Sequence, residues 1–186
     1  MNEPGRRLVH GSGSLVPLSY VVGLLTWRQV QLVVLLALSV ATVLEGLRLS
    51  GRLDWWVYRR FTREYERHWP AGYALALLGA AITVWAFQPA VAVPALLMLT
   101  IADPISGVLS ASSLEVKPGY VLLATFGICL GIAGTLRVPP GPALLGAGAA
   151  TVADGVKPTV AGYVIDDNLT IPIGAALAMQ VGLLLF

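Results

Sequence analysis

An all-α bundle of about seven membrane-crossing helices is the fold class this sequence predicts, and three observations predict it. Hydrophobic residues make up 56% of the 186 and charged residues only 12%, against about 25% charged in a soluble domain. A soluble surface cannot be covered with so few charges, and the mean hydropathy of +0.77 agrees. Apolar segments recur along the whole chain, at 15–25, 29–49, 71–87, 89–101, 119–136, 141–153 and 169–186. The third observation is where the charges fall, and it comes from the segments themselves.

The opening, "MNEPGRRLVHGSGSLVPLSYVVGLL", places two arginines before an apolar stretch, as a signal peptide does. Gly11, Gly13 and Pro17 interrupt that stretch and no small-residue cleavage site follows. It is expected to remain as a first membrane helix. Segment 29–49 has the length of a full span, whereas 89–101 carries Pro89 and Pro94, ends at Asp103-Pro104, and is expected to be kinked or broken. Broken or short helices survive in a bilayer only where protein or a polar cavity satisfies the freed backbone. The glycine- and alanine-rich stretches "LLGAAIT" and "LLGAGAAT" are expected to be helix–helix contacts, since small residues let membrane helices approach closely. The single cysteine, Cys129, sits in "GYVLLATFGICLGIAG" with no second thiol or histidine nearby, and is read as a small buried hydrophobe. One domain, 1–186, is expected.

If all seven segments cross, one side of the membrane holds Arg6, Arg7, Arg48, Arg52, Arg59, Arg60, Arg63, Arg67, Lys117 and Lys157, and the other only Arg28 and Arg137. Short loops rich in Lys and Arg stay cytoplasmic, which puts the N-terminus inside. The acids provide an independent check, because that rule does not use them. Glu3, Glu45, Asp54, Glu64, Glu66, Asp103, Glu115, Asp154, Asp166 and Asp167 are all ten of the chain's Asp and Glu, and all fall on the same side. A cytoplasmic site that needs both signs of charge is expected. The formal net charge of +2 says little by itself, and no nucleic-acid partner is expected.

Four stretches carry candidate chemistry. In "VIDDNLTIPI", Asp166, Asp167 and Asn168 are hard oxygen ligands of the kind Mg²⁺ takes beside waters and phosphates; the alternative is a helix cap. The Asn-Leu-Thr at 168–170 also matches a glycosylation sequon, read as accidental on a cytoplasmic face. Asp103 in "LTIADPISG" follows an apolar run, where a carboxylate is costly unless paired or ligating; a turn-forming Asp-Pro is the alternative. In "RRLVHGSGS", Arg6, Arg7 and His10 precede a glycine–serine run suited to phosphate oxygens, without the spacing of a Walker loop. Glu45 lies one turn before the end of its helix with Arg48 at i+3, either an interfacial ion pair or a carboxylate facing the site. The stretch 48–67, with Trp55, Trp56 and Tyr58, reads as an interfacial amphipathic segment facing anionic lipid.

The order of these motifs, from "RRLVHGSGSLVPLSY" through Glu45 and "LTIADPISGVLSAS" to "ATVADGVKPTVAGYVIDDNLTIPI", resembles the CTP-dependent polyprenol kinase family, which includes dolichol kinase, phytol kinase and the yeast-type diacylglycerol kinase. The resemblance covers most of the chain, and "IDDNLTIPI" is its most specific element. It departs from the family at Ala102-Asp103, where Gly-Asp is usual, in "SASSLEVKPG", and at Asp154, where a glutamate is usual. The resemblance implies a membrane enzyme that phosphorylates a lipid alcohol, with CTP as donor and Mg²⁺ as cofactor. It implicates Asp103, Asp166, Asp167 and Asn168 as metal and nucleotide ligands, and Arg6, Arg7, His10 and Lys117 at the phosphates. Glu45 or Asp154 is the expected base or supporting carboxylate. Two other classes stay open: a cytidylyltransferase that makes a CDP-activated lipid, and a small ion or solute transporter. The short chain without a retention signal points to a prokaryotic cell membrane.

Overall fold

A computed structural model describes residues 3–62, 66–110, 116–156, 159–160 and 163–186. Arg63, Glu64, Glu115 and Lys157, counted above on the charged side, lie outside the described residues, as do the side chains of Glu3, Arg59 and Arg60. Ten α-helices are described: α1 (Glu3–Ser12), α2 (Leu15–Val21), α3 (Trp27–Leu49), α4 (Trp56–Phe61), α5 (Gly72–Ala86), α6 (Pro89–Leu97), α7 (Asp103–Leu109), α8 (Gly119–Thr135), α9 (Pro140–Gly155) and α10 (Asp167–Leu185). A two-residue antiparallel ladder, β1 (Thr159–Val160) with β2 (Tyr163–Val164), joins α9 to α10.

Three helical stretches are long and apolar enough to cross a membrane: Trp27–Leu49, Pro89–Leu109 and Asp167–Leu185. Helices α5 and α8 are as apolar but shorter, at 15 and 17 residues. The N-terminal stretch differs from the single helix expected of it. It forms α1 and α2, of 10 and 7 residues, because the chain turns at Gly13 and Ser14, whose amides bond back to His10 and Gly11.

Helix α3 starts on a capping box. Thr26 Oγ1 accepts from Gln29 N while Gln29 Oε1 accepts from Thr26 N at 2.8 Å. Its end is set by Gly51, whose φ of +71° favours glycine.

The second of these stretches, Pro89–Leu109, stays helical through its prolines. Pro89 opens α6, where no N–H is needed. Ahead of Pro104 the backbone widens into a π turn, Met98–Ala102, in which Asp103 N–H donates to Met98 O, five residues back. A proline ring clashes with the carbonyl four residues before it, and the wider π turn makes room for it. The helix then continues as α7 to Leu109, so Asp103-Pro104 is helix and not a turn.

This proline-bearing helix is the centre of the molecule: every residue from Val91 to Leu99 is buried. On one side Met98, Leu99 and Ala102 pack with Cys129 of α8, Ala143, Ala147 and Ala150 of α9, and Ile171, Ala175 and Met179 of α10. On the other, Leu96 packs with Val30 and Val34 of α3 and Ala81 and Val84 of α5. Small residues set the spacing. A Cβ on Gly182 would come within 2.6 Å of Pro142 Cα, and one on Gly79 within 3.0 Å of the Asn168 carbonyl oxygen. Outward-facing Leu36, Val43, Leu144, Val152, Leu177 and Leu184 are exposed, as suits helices whose neighbour is hydrocarbon. The ends of α3, α7 and α9 meet the starts of α5, α8 and α10: Ala71 N donates to Glu45, Tyr120 OH donates to Leu109 O, and Asp154 lies beside Asp167. At the opposite end, the Arg28 guanidinium lies over the Trp85 ring, 5.1 Å from its centre.

Candidate active site

Where those ends meet, carboxylates from three helices converge. Asp103 heads α7, Asp154 lies one residue before the end of α9, and Asp167 opens α10. One carboxylate oxygen from each lies within 4.8 Å of the other two. Asp154 and Asp167 are buried and Asp103 half-buried. Like charges about 4 Å apart repel by about 4 kcal/mol at an effective dielectric of about 20, so three such groups demand compensating positive charge.

Part of it comes from Lys117. Its Nζ donates to Asp154 Oδ1 at 2.6 Å and to Ser106 Oγ at 2.9 Å. Both members of the ion pair are buried. Lys117 N also donates to Gly155 O at 3.3 Å, which pins the approach to α8 against the end of α9. Ser106 Oγ in turn donates to Asp154 Oδ2 at 2.6 Å. Asp154 is therefore held through both oxygens. His10 adds a contact from α1, its Nε2 standing 3.6 Å from Asp103 Oδ2 and 3.1 Å from Leu99 O. Arg7 lies close by: a Cβ on Gly107 of α7 would stand 3.3 Å from its Nε.

The neighbouring aspartate has a different task. Asp166 is the N-cap of α10, with Oδ1 accepting from Asn168 N at 3.0 Å and from Asn168 Nδ2. Consecutive residues cannot face the same way, and the one before the helix takes the exposed amides. Of the four ligands expected for the metal, Asp103 and Asp167 are in the carboxylate group, while Asp166 and Asn168 are bonded to each other beside it. Asp154, expected as a base, is its third member.

Glu45 belongs to a separate arrangement. It is buried near the end of α3. Its Oε1 accepts from Arg48 and from Ala71 N at 2.8 Å, and its Oε2 from Tyr73 OH at 2.6 Å. Arg48 also donates to the carbonyls of Glu66 and Trp69, at 3.2 and 2.7 Å. The pair thus clamps the chain leading into α5, and Glu66 Oε1 completes the clamp by accepting from Gly72 N at 3.0 Å.

Between the carboxylate group and the clamp lies a mostly apolar cavity of about 320 Å³. Val9, Leu44, Trp55 and Val57 contribute to its walls, and Arg6, His10 and Asn168 are among its polar groups. Arg6 thus borders this space, while Lys117, expected at the phosphates, is bonded into the carboxylate group.

Sequence reasoning did not single out Ser106, Thr125 or Tyr73, and counted Glu66 only as a charge. Ser106 stands three residues after Asp103, on the same helix face, and that spacing was a usable signal. Thr125, whose Oγ1 is 3.5 Å from Asp154 Oδ2, is one hydroxyl in an apolar helix and carries none.

Three buried or half-buried carboxylates beside a lysine make a hard oxygen donor set, and they fit Mg²⁺, which binds through few carboxylates and keeps positions for phosphates. No protein-family model, curated protein or solved structure matches the chain.

Proposed function

We propose that this chain is a Mg²⁺-dependent lipid kinase, transferring the γ-phosphoryl group of CTP to the hydroxyl of a polyprenol or a related long-chain isoprenoid alcohol. The observation that carries the reading is the meeting of Asp103, Asp154 and Asp167 at the charged end of an apolar bundle, beside a cavity with apolar walls. Phosphoryl transfer asks a protein for positioning and charge stabilisation more than for covalent chemistry. Asp103, Asp154 and Asp167 would hold Mg²⁺, which when bound supplies neutralising charge to the phosphates. Lys117, bonded to Asp154 Oδ1, orients that carboxylate. Arg7 and His10, adjacent to α7, would meet incoming phosphate, and Arg6 serves the cavity side. The acceptor's tail stays among lipid or apolar side chains while its hydroxyl reaches the carboxylates. Of the two expected bases, Asp154 belongs to the carboxylate group, whereas Glu45 is taken up by the clamp.

The charged end faces the cytoplasm in this reading, by the positive-inside rule. The path of α1 and α2 supports seven passes with the N-terminus inside. His10 contacts Asp103 at one end, and the Tyr20 ring meets Trp27 at the start of α3. A prokaryotic cell membrane is the proposed setting.

The test is direct. Purified protein in lipid with Mg²⁺, polyprenols and γ-labelled CTP or ATP is expected to yield labelled lipid monophosphate, with loss of label in Asp103→Asn and Asp167→Asn. Transfer from α-labelled CTP to a lipid phosphate, with no γ-label transferred, would instead identify a cytidylyltransferase. No transfer of either kind would sink the enzyme reading and leave an ion site.

A further inference from the structure

We infer that the cavity bordered by α1, α3, α4, α5 and α10 is a subsite for a neutral lipid alcohol, whose hydroxyl donates a hydrogen bond to Asn168 Oδ1. The inference rests on the kinase reading for its purpose but not for its geometry.

Asn168 is 2% exposed, and among the described residues its Oδ1 has no hydrogen-bond partner. The amide orientation is fixed, because Nδ2 donates to Asp166 Oδ1. Gly72 preserves that orientation, since a Cβ there would stand 2.9 Å from Nδ2. A buried acceptor left unpaired is costly, and the residue that carries this one, Asn168, lines a cavity. The missing partner is a donor. An alcohol O–H supplies one, whereas an ionised phosphate or carboxylate offers only acceptors.

The rest of the cavity suits the tail. A volume of about 320 Å³ lies within the usual range for small-molecule sites, and the wall surface is mostly apolar although Arg6, His10, Glu66, Tyr73 and Asn168 border it. Leu44, Trp55 and Val57 line the apolar part. The polar part adjoins the carboxylates, since Asn168 follows Asp167 and the cavity-lining His10 is 3.6 Å from Asp103. A hydroxyl held at Asn168 would sit beside the group that handles the phosphates. Once phosphorylated, the oxygen has no proton to donate, so the product is held less well than the substrate.

Binding without nucleotide or Mg²⁺ tests this. Tritiated geranylgeraniol is expected to bind the detergent-purified protein saturably, and more tightly than geranylgeranyl monophosphate does. Asn168→Leu should weaken alcohol binding by about fivefold to tenfold, the loss of one hydrogen bond. Leu44→Trp, which fills the cavity, should abolish it. Unchanged binding in both variants, or tighter binding of the monophosphate by the wild type, would overturn the subsite. A diazirine-bearing geranylgeraniol on the unaltered protein needs no folded variant. Label is expected on Leu44 and on 55–58, and label confined elsewhere overturns the subsite. Failure of the two readings is distinguishable. Alcohol bound here without γ-phosphoryl transfer removes the kinase and leaves the subsite, and transfer with label elsewhere does the reverse.

Discussion

Lys117 and Asp154 form a buried pair in which neither charge has access to bulk water. Removing one partner of such a pair leaves the other uncompensated and costs about 3–5 kcal/mol, whereas replacing both by apolar or neutral groups is often close to neutral. Lys117→Met should therefore destabilise the protein by about that much, and Lys117→Met with Asp154→Asn by clearly less, read by denaturation in detergent. Equal destabilisation in both would mean that the pair contributes packing and not charge. At this scale much of the site was legible. Asp103 and Asp167 stood out as carboxylates at the edges of apolar runs, and Asp154 entered through the family resemblance. Their division of labour was not legible, because Asp166 and Asp167 are chemically identical in sequence. Only the position of the first helical residue decides which one caps α10 and which faces the group.

At the scale of the element, the π turn is what aims Asp103. A π turn spends one residue more than an α turn over the same rise, and each residue added or removed rotates everything beyond it by about 100° around the axis. Pro104→Ala removes the ring that needs the wider turn and should let it tighten to α geometry with no residue lost, swinging Asp103 away from Asp154 and Asp167. The variant is expected to keep its helix content by circular dichroism and to lose Mn²⁺ binding by electron paramagnetic resonance. Retained Mn²⁺ binding would show that Asp103 is dispensable to the donor set. Periodicity located the long elements well: the expected 29–49 is Trp27–Leu49. It failed where the outcome depends on what packs nearby. Pro94 and Pro104 predict a break only if the freed carbonyls meet lipid, and here every residue from Val91 to Thr100 is buried. The N-terminal stretch fails in the other direction, since α1 packs beside α7 as a polar helix that hydropathy alone does not find.

For the whole molecule, the separation of charge was the most legible property. Glu45, Glu66, Asp103, Asp154, Asp166 and Asp167 gather at one end of the bundle, as the loop charges predicted, and Arg28 lies at the other. The number of passes is less visible in the lengths, because α5, α8 and α9 have only 15, 17 and 16 residues. At about 1.5 Å per residue these helices rise about 22–26 Å, against a hydrocarbon thickness of about 30 Å. In the seven-pass reading proposed above, mismatch of this size is met by thinning of the bilayer along the short flank. Transfer to a prenol is accordingly expected to fall by about threefold or more from dimyristoleoyl to dierucoyl phosphatidylcholine vesicles, measured as initial rate. A rate independent of chain length would mean that the short helices are shielded from lipid. If the membrane does thin there, the lipid–water boundary dips towards the carboxylates. On the proposed reading, a prenol hydroxyl travelling along that boundary would then arrive at the depth of the three carboxylates without leaving its own leaflet.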